Sequence, residues 1–115
     1  MALVRDPDHI RLAMLGMVPG NGHPFSWSAI INGRYDQAEM ERCGYPVIPR
    51  YLGAQPPGAL GLPGARVTHV WCDRPEDGPR VARAACISHV AVKPEDVIGQ
   101  VDAVLIATDI GGEHV

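Results

Sequence analysis

Short apolar runs alternate along this chain with segments that open on proline and acid, and that alternation restricts the available folds more than any other feature. The runs are IRLAMLG (10–16), ARVTHVWCD (65–73), HVAV (89–92) and VDAVLIAT (101–108). Each has strand length, and the last is almost continuously apolar, as expected of a strand buried on both faces. The segments between them carry helix signals. Ser26 or Ser28 is positioned to cap a helix of about two turns that Gly33 stops. Asp36 and Glu39 have capping-box spacing, and Gly44 and Pro46 end that helix. In DRPEDGPRVARAACI, Pro75, Glu76 and Asp77 suit a first helical turn, and Val81, Ala82, Ala85 and Cys86 form its apolar stripe. KPEDVIGQ repeats that opening on a smaller scale. Strands alternating with helices predict a parallel sheet covered on both faces, in one α/β domain of about four strands. In the second run, strict alternation places Val67, His69 and Trp71 on one side and Thr68, Val70 and Cys72 on the other.

Composition narrows the function classes. A net charge of −3 without a Lys/Arg run disfavours nucleic acid as a partner, since neutralising phosphates needs a basic face. Arg11 interrupts the only apolar stretch near the N-terminus, and no run approaches the length of a membrane span, so a cytoplasmic protein without a membrane partner is expected. Cys43, Cys72 and Cys86 are odd in number and not closely spaced, which points to a reducing compartment rather than a disulfide framework. With one Phe, two Trp and three Tyr, the core must rely on aliphatic residues. Of thirteen Gly and eleven Pro, four Gly and five Pro crowd into PVIPRYLGAQPPGALGLPG, so residues 34–64 read as an insertion between the first two strands, with 46–64 a surface excursion outside the core.

In open parallel sheets, ligands bind beyond the carboxyl ends of the strands. Three such ends carry distinctive residues: Gly16, Gly20, Asn21 and Gly22; Asp73 and Arg74; and Ala107, Thr108 and His114. The glycines are spaced G-x-x-x-G-x-G, after a strand and before a helix, a context that brings backbone amides close to a pyrophosphate. Asp73 is placed either to accept from a ribose diol or to cap the following helix, and Arg74 to meet a 2′-phosphate. His9 and His89 read as strand-edge residues, and His23 as a cleft-lining one. No metal ligand set is expected, because His69 and Cys72 lie on opposite faces of a strand. PFSWS lacks the G-x-S-x-G nucleophile turn, so no catalytic residue is assigned.

The segments IRLAMLGMVPGNG, THVWCDRPEDGPRVARA and VKPEDVIGQVDAVLIATDIGGEHV resemble the N-terminal domain of the Gfo/Idh/MocA oxidoreductases, the glucose–fructose oxidoreductase and inositol dehydrogenase group. The resemblance spans most of the chain apart from residues 34–64. It implies a Rossmann-like domain binding NAD or NADP, in an enzyme that transfers hydride to or from a polyol or sugar-like substrate. By position, Gly16, Gly20 and Gly22 match the glycine turn, Asp73 the ribose-facing acid, Ala107 and Thr108 the strand end beside the cofactor, and His114 the histidine opening the next helix. Asp109 stands where proline is commoner, and the glycine spacing is altered. The family's Glu-Lys-Pro segment and mostly β substrate domain would follow Val115, so residues 1–115 correspond to the cofactor domain alone, and no turnover is expected from them. Two other readings stand beside this one. One is a non-enzymatic nucleotide-binding or oligomerisation module, for which a homo-oligomer is the expected partner arrangement. The other is a fragment of an S-adenosylmethionine methyltransferase, disfavoured by the lack of an acid just before the glycine turn.

Overall fold

The structure, a computed structural model, describes residues 9–17 and 22–107. Four strands, β1 (Ile10–Leu15), β2 (Ala65–Trp71), β3 (His89–Val90) and β4 (Ala103–Ile106), form one sheet in the order β3-β2-β1-β4. Every pairing is parallel. Four helices connect them: α1 (His23–Asn32), α2 (Gln37–Glu41), α3 (Val47–Gly53) and α4 (Asp77–Ala85), and a 3-10 turn, Pro94–Val97, precedes β4. This is the parallel α/β arrangement that the alternation predicts, in the incomplete Rossmann-like form that the resemblance implies.

Handedness decides which face is covered. The connections β1–α1–β2 and β2–α4–β3 step in the same direction, so right-handed crossovers put both helices on one side. There α1 and α4 touch each other and the sheet, while α2 and α3 pack against them. The return from β3 past β1 to β4 crosses on the opposite side with only the 3-10 turn, in which Val97 alone is buried. Among the described residues the sheet is therefore covered by helices on one face, not both. The consequence is plain in β4: Leu105 packs on the helix-side core, whereas Val104 and Ile106 remain 44% and 45% exposed.

The main core joins Leu12 and Met14 of β1 to Phe25 and Ala29 of α1 and Val81, Ala84 and Ala85 of α4. From β2 it takes Val67 and Val70 together, which strict alternation forbids, and Cys72 just after the strand joins them. The ladder explains why: Leu12 pairs with Val67 but Ala13 pairs with His69, so Thr68 is an extra residue. This β-bulge shifts the phase of the strand. It keeps Val67 on the helix side with Val70, while His69 and Trp71 fall on the open face beside Ala13 and Leu15.

β3 is too short to complete the outer edge of β2, and side chains do so instead. Asn32, the last residue of α1, accepts from Val67 N–H through Oδ1 at 2.7 Å and donates through Nδ2 to Val67 O at 3.3 Å and Ala85 O at 3.1 Å. Ser88 Oγ donates to Thr68 O at 3.2 Å. On the other side of the sheet Asp102 sets β4 against β1: its carboxylate accepts from Arg11 N–H at 2.8 Å and takes the Arg11 guanidinium.

The expected insertion is ordered, and part of it is core. Asp36 caps α2 as the spacing predicts, its Oδ1 accepting from Glu39 N–H at 2.9 Å. Residues 46–64, read from sequence as excluded from the core, instead supply α3, which buries Ile48 and Leu52. Its prolines are compatible with this: Pro46 is the N-cap and Pro49 lies in the first turn, where a missing N–H costs nothing. Arg80 ties the layer together, donating to Asp77 Oδ1 and to the carbonyls of Arg42 and Cys43.

Candidate functional site

At the carboxyl ends of β1, β2 and β4, three predicted site residues meet. Gly16 leaves β1 at φ 85°, a left-handed conformation in which glycine has no Cβ to strain, and its N–H donates to Trp71 O at 2.7 Å. The next amide, Met17 N–H, donates to Asp73 Oδ2 at 3.0 Å. Across β1, Ala107 N–H donates to Leu15 O at 2.8 Å, which brings the end of β4 to the same rim. Gly16, Asp73 and Ala107 therefore stand together. Gly20, Asn21, Thr108 and His114 lie outside the described residues.

Asp73 does not cap α4. The helix starts at Asp77, after a turn closed by Asp77 N–H donating to Arg74 O at 3.0 Å. The Asp73 carboxylate instead buttresses the loop after β1 with Oδ2, and Oδ1 has no partner among the described residues. Beside it opens a cavity of about 330 Å³ between the ends of β2 and β3, lined by Trp71, Asp73, Arg74, Gly78, Val90 and Val92, among others. Gly78 lets α4 approach closely there, since a Cβ would come within 2.9 Å of Val90 Cγ1 and the valine would have to shift. Cys72, next to the rim, is no nucleophile: burial first, then the charges of Asp77 and Asp73, push its thiol up to about 12.

The start of α1 is less suited to an anion than the glycine pattern implies. Pro24 occupies the first turn and lacks a donor, while Phe25 and Ser26 N–H both point to Gly22 O. Gly22 itself has φ −93° and answers a packing need: a Cβ there would come within 2.9 Å of the Tyr45 ring and the Ile48 Cδ1. The end of the rim at Asp73 thus offers a polar ligand more than the helix terminus does. Trp27 stacks on His23 with centroids 4.2 Å apart and edges a separate groove of about 420 Å³ shared with Tyr45 and Tyr51.

One pairing escapes sequence reasoning. His69 and His89, register partners on β2 and β3, stack on the open face with centroids 4.5 Å apart and planes 9° apart. His69 is held below the ordinary histidine value by burial first, then by His89 and Arg11. Nothing in the spacing of the two residues announces this, because it depends on the bulge and the register. Among the described residues no group of three or more His, Cys, Asp or Glu side chains is placed to hold a metal ion, and no helix is long and apolar enough to cross a membrane. No protein-family model matches the chain, and neither a curated protein nor a solved structure matches it significantly.

Proposed function

We propose that this chain binds an adenine dinucleotide, NAD or NADP, across the carboxyl rim of its sheet, as the cofactor-binding part of an oxidoreductase acting on a polyol or sugar-like substrate. The observation that carries the reading is the convergence of Gly16, Asp73 and Ala107 through the Met17–Asp73 and Ala107–Leu15 hydrogen bonds. Parallel sheets place ligands at such a rim. Asp73 would accept from a ribose hydroxyl through Oδ1 while Oδ2 keeps the loop in place. The adjoining cavity would receive the adenine, with Arg74 beside the ribose for a 2′-phosphate. When bound, the dinucleotide supplies the hydride chemistry, and this chain contributes orientation and electrostatics.

Calorimetric titration with NADH, NADPH and S-adenosylmethionine tests the reading. Binding of either reduced dinucleotide is expected, and methyl-donor binding alone, or silence from all three, would overturn it. Asp73→Asn sharpens the test: its amide oxygen still accepts from Met17 N–H, but its NH₂ replaces the acceptor offered to the diol. Affinity should fall about ten- to a hundredfold with the melting temperature nearly unchanged. The exposed Val104 and Ile106 favour a second reading, a nucleotide-binding module without turnover whose bare sheet face serves association.

A further inference from the structure

The outer wall of the Asp73 cavity hangs on a weak attachment. β3 contributes two ladder residues, joined to β2 by the register pairs His69–His89 and Val70–Val90, with Ala91 N–H donating to Val70 O at 2.9 Å. Beyond the Ser88 bond to Thr68 O, what holds it on the open face is the stack of His69 on His89. Each ring carries the same local arrangement: Nδ1 lies 2.8 Å from Thr68 Oγ1 in one and 2.9 Å from Ser88 Oγ in the other. Matched arrangements on neighbouring strands lay the imidazoles face to face. A proton on each sets two like charges about one strand spacing apart, with part of their surface out of water.

The groups facing the pair offer no relief. β1 presents Arg11, a further positive charge, and Asp102, before β4, has its carboxylate taken by Arg11. The flanking Thr68 and Ser88 are neutral. Burial first, then His89 and Arg11, hold His69 below its ordinary value, so its ring resists a proton in this setting.

We propose that the stacked His69–His89 pair is an acid-sensitive latch on β3: protonation of both rings releases the strand and withdraws Val90, Ala91 and Val92 from the cavity beside Asp73. The effect on ligand binding rests on the nucleotide reading above; the latch itself does not.

The experiment follows the full chain by NMR from pH 7.5 to 5.0, reading both imidazoles and the exchange protection of the Ala91 amide, with NADH affinity measured in parallel. The rings are expected to titrate in two separated steps. Ala91 protection, corrected for intrinsic exchange, should fall on the order of tenfold with the second step, and NADH affinity with it. In His89→Gln, whose ring charge is gone from an exposed position, Ala91 protection should stay level over this range, and His69→Gln should behave alike. Unchanged Ala91 protection in the parent protein, or an equal fall in both variants, overturns the latch. Loss of Ala91 protection with no NADH binding at any pH would uphold the latch and sink the nucleotide reading. NADH binding with level Ala91 protection would do the reverse.

Discussion

Ser28 shows how a residue can be read for the wrong property. Its hydroxyl looks like a helix cap in the sequence, yet it lies inside α1, fully buried, and Oγ has no hydrogen-bond partner. A hydroxyl shut away from water without a partner costs free energy that a methyl group would not. Ser28→Ala should therefore leave stability unchanged or raise it by up to about 1 kcal/mol, measured by urea unfolding. Asp73 was legible for the opposite reason. Its position after a strand is set by chain order alone, and only its partner, the Met17 amide, required three dimensions.

Among the elements, the helices that announce themselves are those whose ends carry side-chain or glycine caps. Gly33 in the left-handed region and the Asp36 side chain fall where the spacing put them. α3 stayed hidden because proline serves helix starts as readily as turns, and only packing of Ile48 and Leu52 decides between them. The faces of β2 were hidden by the Thr68 bulge, for which no residue type in the strand gives a sign. Asn32 was equally silent, although its amide stands in for a missing strand by meeting both polar groups of Val67. Asn32→Ala should cost about 2–3 kcal/mol, since it strands the Val67 N–H and two carbonyls in a half-buried place. Chemical unfolding measures this loss, and an unchanged denaturant slope would show that the fold survives it.

For the molecule as a whole, the depressed His69 sets a direction for acid sensitivity. Its folded form takes up a proton less readily than the unfolded chain, which does so near the ordinary value of about 6.5. The unfolded state therefore binds more protons as the pH falls below that value, so the contribution of His69 to stability is complete at neutral pH and shrinks toward its folded value. The melting temperature should be lower at pH 5 than at pH 7.5, and His69→Gln should flatten that slope; a slope unchanged by the substitution would contradict it. The two margins of the sheet are also unlike. Beside β3 both polar groups of Val67 and the carbonyl of Thr68 are already met by an amide and a hydroxyl, so no further backbone can be laid along that stretch. β4 has no such stopper among the described residues and presents its ladder groups outward. Among the described residues, then, further backbone is barred from the part of β2 that β3 leaves uncovered, while β4 offers its whole length to more of the same polypeptide or to another molecule.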